Sequence, residues 1–205
     1  MMNFLLACIH LDPIEIVRAG SYAGIAALVF AESGLLIGMF LPGDSLLFTA
    51  GLLSAGGFLA PGPLMITVIA AAILGDSVGY WFGAKVGDHL EDREDSWFFK
   101  KEYLRRTERF YQKYGGRALI LARFVPIVRT LTPILAGAGS MTYRKFLSFN
   151  IIGGFIWGGG MVLLGFTLGS IIPDSEKYVV PISLVIIMIS LLPILMNLAK
   201  GKRGI

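Results

Sequence analysis

Arg123 and Arg129 stand six residues apart in an otherwise apolar run, ALILARFVPIVRTLTPILAG over 118–137. Arginine is a fixed cation. Its planar fork of donors suits oxyanions such as carboxylates and phosphates. The opposite charges occur in a second apolar run, AESGLLIGMFLPGDSLLF over 31–48, which carries Glu32 and Asp44. A third apolar stretch, 62–84, contains only Asp76. An ionised side chain at the centre of a bilayer costs roughly 3 kcal/mol on insertion scales, so these charges are expected to face one another across a wet cavity. A carboxylate there is balanced between desolvation and a neighbouring arginine, so it can exchange a proton when its partner is displaced. On this basis Glu32, Asp44 and Asp76 are the candidate proton-coupling groups. Bland roles compete: the arginines as structural ion-pair members, Asp44 as the cap of a helix that follows Pro42-Gly43, and Asp76 as a packing acid bonded to a neighbouring helix.

The elements that position these residues belong in a membrane. Of 205 residues, 55% are hydrophobic, and the mean hydropathy of +0.72 lies well above that of a soluble domain. Residues 146–173 and 178–199 carry no charge, and each run is long enough for a spanning helix. The stretch 19–60 is too long for one span and holds Gly34, Gly38, Pro42-Gly43, Gly51 and Gly56-Gly57. It is expected to fold as a re-entrant hairpin turning near 38–44, because broken backbone at membrane depth survives only where protein or water covers it. The run 115–140, interrupted by Pro126 and Pro133, has the same character. Pro42, Gly43, Pro126 and Pro133 are expected to set the hairpins' shape. The expected fold is therefore an all-α polytopic membrane protein in one domain, 1–205. Its parts are hairpins at 19–60 and 115–140, spans at 62–87, 146–172 and 178–199, and a basic amphipathic helix at 92–114 on the cytoplasmic surface.

Lysine and arginine give the orientation. They crowd 88–117, recur at Arg144-Lys145 and return at Lys200, Lys202 and Arg203. One topology places all three regions in the cytoplasm, together with the C-terminus. The two charged hairpins then approach each other from opposite faces. A weak internal repeat fits that arrangement: each hairpin precedes a glycine-rich span, and Gly83-xxx-Gly87 corresponds to Gly165-xxx-Gly169. Inverted repeats of broken helices are a transporter architecture. Gly75, Gly79, Gly83 and Gly87 form a four-residue stripe that is expected to let another helix approach closely.

Other chemistries are poorly served. Cys8 is the single cysteine, so no intramolecular disulfide forms. His10 and His89 are too few and too far apart for a metal site, and neither lies in an expected span, which argues against a histidine-dependent membrane phosphatase. The net charge of +4 is modest and fits cytoplasmic loops better than a nucleic-acid surface. No catalytic residue and no cofactor is expected.

Glu32…Leu41-Pro42-Gly43-Asp44-Ser45, Gly75-Asp76-Ser77-Val78-Gly79-Tyr80 and Ala122-Arg123-Phe124-Val125-Pro126-Ile127-Val128-Arg129-Thr130…Pro133…Ala136-Gly137 together resemble the DedA family of bacterial inner-membrane proteins. Their shared region is also called the VTT or SNARE-associated domain, and the resemblance covers roughly residues 20–170. It implies two opposed re-entrant hairpins and lipid translocation, with undecaprenyl phosphate as the leading substrate. It also implies phosphatidylethanolamine and the proton-motive force for some relatives. It implies that positions matching Glu32, Asp44, Arg123 and Arg129 are required. The chemistry suits that role: Arg123 and Arg129 would bind the phosphate head bidentately midway across, while Glu32 and Asp44 neutralise them in the empty site. A proton-coupled small-solute or ion transporter could use the same charges. The expected partners are an anionic phosphate lipid and protons, in the bacterial inner membrane, and the sequence leaves room for a homo-oligomer.

Overall fold

The computed structural model describes residues 13–35, 43–91, 116–139 and 141–172, together with residue 181. The described residues are helical apart from short breaks. In chain order the helices are α1 (Pro13–Gly34), α2 (Gly43–Ala55), α3 (Pro61–Glu91), α4 (Arg117–Ala122), α5 (Pro126–Ala138), α6 (Tyr143–Gly154) and α7 (Gly160–Ile171). A π-helical turn, Phe155–Gly159, joins α6 to α7. The surface helix expected at 92–114 and, apart from residue 181, the span expected at 178–199 lie outside the described residues, as do Pro42 and His10.

Among the described residues, two stretches are long and apolar enough to cross a bilayer. They are Pro61–Gly87, of 27 residues, and Tyr143–Ile171, of 29. At 1.5 Å per residue each measures about 40 Å, against a hydrocarbon core of about 30 Å. Both present large apolar side chains outward, among them Ile66, Leu74, Trp81 and Phe82 on α3 and Ile152, Phe155, Leu164 and Ile171 beyond residue 143. A soluble monomer seldom exposes apolar surface on that scale, whereas lipid favours it.

Several boundaries differ from the sequence expectation for physical reasons. The α6 rod begins at Tyr143 rather than 146, because Arg144 and Lys145 extend the helix past its apolar edge. Gly43 and Asp44 are already helical, with Asp44 in the first turn of α2 rather than at the turning point of a hairpin. Pro126 does begin a helix: it occupies the first turn of α5, where its missing N–H is not needed. Pro133, expected to interrupt the chain, sits inside α5 without ending it. A buried helix tolerates proline when its neighbours cover the disturbed backbone. Helix α1 also carries a kink at Ser21, where φ is 49°.

The chain divides into two compact units. The first comprises 1–28, 42–68 and 158–205. Within it α2 lies directly on α7: a Cβ on Gly165 would strike the Phe48 carbonyl, one on Gly169 would come within 2.8 Å of the Leu52 carbonyl oxygen, and one on Gly51 would strike the Val162 carbonyl. Phe48 and Leu52 form the local core against Met161 and Leu168. The Tyr22 hydroxyl accepts the Ala60 N–H at 2.8 Å and ties α1 to the start of α3.

The second unit comprises 29–41 and 69–157. Here the glycine stripe of α3 is filled by backbone. A Cβ on Gly75 would lie 2.7 Å from the Phe30 carbonyl oxygen, one on Gly79 would lie 3.3 Å from Pro133, one on Gly83 would strike the Ile134 carbonyl, and one on Gly87 would lie 2.9 Å from the Ala138 Cα. In return Gly137 of α5 faces the Tyr80 carbonyl. Tyr80, Leu119, Ala136, Met141 and Phe146 make the core of this unit. Tyr80 stacks on Phe146 at 4.7 Å between ring centroids and donates its hydroxyl to the Met141 carbonyl. This close helix contact brings the charged side chains together.

Candidate functional site

Both arginines are buried, Arg123 to 5% exposure and Arg129 to 7%. Arg123 caps the short helix α4 at its C-terminal end, just before the break that Pro126 ends. Its guanidinium pairs with Asp76 of α3 and also donates to the side-chain oxygen of Asn150 on α6. The Asn150 amide in turn donates to the Ile73 carbonyl at 3.1 Å. That carbonyl also accepts the Ser77 hydroxyl at 2.7 Å, and Tyr143 donates to Ser77 at 3.3 Å. Asn150 therefore has its donor and acceptor ends fixed by different neighbours, which sets the direction from which it meets Arg123.

Arg129, three residues into α5, pairs with Glu32 near the end of α1. Glu32 is only 1% exposed. The two ion pairs share one more neighbour, Trp157. Its ring centroid lies 5.0 Å from the guanidinium carbon of Arg129 and 5.9 Å from that of Arg123, both within cation–π range. Asp76, Arg123, Arg129, Thr132, Asn150, Leu119, Pro133 and Phe146 line a cavity of about 10 Å³. That is room for about one water molecule.

Charges buried this deeply persist only when paired, and removing one partner from such a pair costs about 3–5 kcal/mol. The arrangement is thus two neutralised pairs, with Asp76 and both arginines lining a small cavity. Among the described residues no group of three or more His, Cys, Asp and Glu is placed to hold a metal ion.

The structure brings together Glu32, Asp76, Arg123 and Arg129. Arg123 pairs with Asp76, and Arg129 pairs with Glu32. Asp44 begins α2 in the other unit, in a first-turn position that favours an acid at a helix N-terminus. Gly43 is buried beside it, and Pro133 lines the cavity. Sequence reasoning missed Asn150, Gly153 and Trp157. A signal existed: a lone amide, a glycine and a tryptophan recur at i, i+3 and i+7 in an uncharged span, on one helix face.

Helices of spanning length, lipid-suited surfaces and buried ion pairs define a helical membrane protein with an internal charged site. The VTT domain family model matches residues 41–167. Protein DedA of Escherichia coli (strain K12) is 40% identical over 187 residues, covering 89% of this chain and 84% of the relative. The chain belongs to the DedA family of VTT-domain membrane proteins. An uncharacterized membrane protein of Mycobacterium tuberculosis (strain ATCC 25618 / H37Rv) is 47% identical over 186 residues, 88% of this chain and 80% of the relative. The inner membrane protein YqjA of Escherichia coli (strain K12) is 34% identical over 157 residues, 77% and 71% of the two chains. No solved structure matches the chain.

Proposed function

We propose that this protein is a transporter of the bacterial inner membrane that translocates a phosphate-bearing lipid, undecaprenyl phosphate being the leading candidate, with coupling to protons. The observation that carries the reading is the pair of buried arginines that line one small cavity, Arg123 paired with Asp76 and Arg129 with Glu32. A lipid phosphate needs a polar way across for its head while its tail stays in lipid. Two guanidiniums at one depth supply bidentate donors for that head. A cavity with room for about one water does not admit a phosphate while both ion pairs are in place. Binding then requires the head to displace Glu32 from Arg129 and Asp76 from Arg123. A displaced carboxylate in a membrane interior takes up a proton far more readily than it stays charged, which is the proposed link to the proton gradient. Nothing in this cycle makes or breaks a covalent bond, so the reading is of a transporter rather than an enzyme.

The same reading includes two re-entrant hairpins related by an inverted repeat. Its support lies in matching registers. Ile134 and Ala138 meet Gly83 and Gly87, while Phe48 and Leu52 meet Gly165 and Gly169. The first two lie 86 residues after Phe48 and Leu52, and the two glycine pairs are 82 residues apart. Gly137 against Tyr80 and Gly51 against Val162 keep the same offsets. In each unit the returning helix of one hairpin packs on the span that follows the other.

A binding experiment tests the reading. Protein in nanodiscs is titrated with a short-chain fluorescent polyprenyl phosphate, with the corresponding polyprenol as comparison. Saturable binding of the phosphate alone, lost in both Arg123→Gln and Arg129→Gln, is the expected result. Equal binding of the alcohol, or undiminished binding in the variants, would move the function to another headgroup or to a small solute.

A further inference from the structure

The helix face Phe146, Asn150, Gly153 and Trp157 contributes no charge, yet everything on it touches the site. Phe146 and Asn150 line the cavity. Asn150 accepts from Arg123. A Cβ on Gly153 would lie 2.8 Å from both Cδ and Nε of Arg123, so the absent side chain is the space in which the arginine stem runs. Trp157 is 2% exposed and faces both guanidiniums. It sits in the middle of the π-helical turn Phe155–Gly159. Such turns insert one extra residue into a helix, rotate the face that follows, and concentrate at functional sites. Gly153 and Gly154 precede the turn, Gly158 and Gly159 form its second half, and Gly160 follows it.

We propose that Trp157 is a positioning residue: its ring holds the two guanidiniums side by side so that they present one two-armed cradle to an oxyanion, and the π turn exists to aim that ring. The proposal rests on the phosphate-lipid reading for its functional meaning but not for its geometry. A fixed cation leaves its carboxylate more easily when the ring still faces it during the exchange, because the electrostatic attraction of the π face does not depend on the acid. Trp157 would thus support both arginines in the interval when the acids have left and the phosphate has not yet settled. Because one ring serves both, displacement of one pair is felt by the other.

Two readouts test this, the first without any ligand. In protein carrying ¹⁵N-arginine, a ring facing the guanidiniums displaces the Arg123 and Arg129 side-chain resonances upfield. Trp157→Leu should collapse that displacement, and Trp157→Phe should keep part of it. The second readout is binding of the short-chain polyprenyl phosphate in nanodiscs. Trp157→Leu should bind about tenfold more weakly, while Trp157→Phe, which keeps an aromatic face but also loses buried volume, should stay within about threefold of native. Unmoved arginine resonances in Trp157→Leu would overturn the proposal, as would equal weakening in both variants that tracks a fall in melting temperature. A native protein that binds no phosphate lipid would contradict the function proposed above, while the resonance test would still decide whether Trp157 positions the arginines.

Discussion

The pairing of Glu32 with Arg129 makes a quantitative prediction about stability. Their side chains are 1% and 7% exposed, so neither charge can turn to water when its partner is removed. Breaking a buried pair costs about 3–5 kcal/mol, against less than about 1 kcal/mol for an exposed pair. A chain of this size shifts its melting temperature by roughly 2–4 °C per kcal/mol. Glu32→Leu, which strands the arginine, should therefore lower the melting temperature by about 10 °C. Arg129→Met should cost less, because a stranded carboxylate can take up a proton and a stranded guanidinium cannot give one up. The double variant Glu32→Leu/Arg129→Met removes both charges and should recover most of the loss, since apolar replacements of buried pairs are often neutral. The assay is thermal unfolding of purified protein in nanodiscs, followed for all four proteins. Simple addition of the two single effects in the double variant would refute the reasoning, because it would mean the side chains do not depend on each other.

Three further outcomes follow from the same geometry. Gly153→Ala places a methyl group against the Arg123 stem and should reduce phosphate-lipid transport about tenfold or more with the protein still folded; transport rates and size-exclusion profiles measured together check this. Gly83→Ala, which drives a Cβ onto the Ile134 carbonyl, should lower the yield of folded protein severely, whereas Gly62→Ala, with nothing within 4 Å, should be silent in the same thermal assay. Glu32→Gln keeps an oxygen for Arg129 but cannot exchange a proton. It should bind lipid and lose the pH dependence of transport, and an unchanged pH profile in vesicles would count against Glu32 as the coupling group.

Much of this site is legible in the sequence, for a physical reason. Charges in an apolar run are costly, so Glu32, Asp76, Arg123 and Arg129 announce themselves by type and position alone. The glycine stripe is legible too, because a four-residue repeat can only mark one helix face. What the sequence does not disclose is partnership. Three acids compete for two arginines, and which acid meets which depends on how α3, α1 and α5 cross. The crossings bring Asp76 to Arg123 and Glu32 to Arg129. Trp157 and Asn150 are legible only through their shared helix face, because neither carries a charge and the π turn that aims Trp157 has no strong local signal. Pro133 misled for the opposite reason: proline usually ends a helix, but here α3 packs on the helix it sits in.

The role proposed for the two arginines is to carry a lipid phosphate across the membrane. Its most direct test is headgroup translocation in proteoliposomes, with fluorescent polyprenyl phosphate loaded in one leaflet, with and without a proton gradient, for native protein and Arg129→Gln. Translocation by the native protein should respond to the gradient and vanish in the variant. Translocation no faster than in protein-free vesicles, from protein shown to be folded, would contradict it.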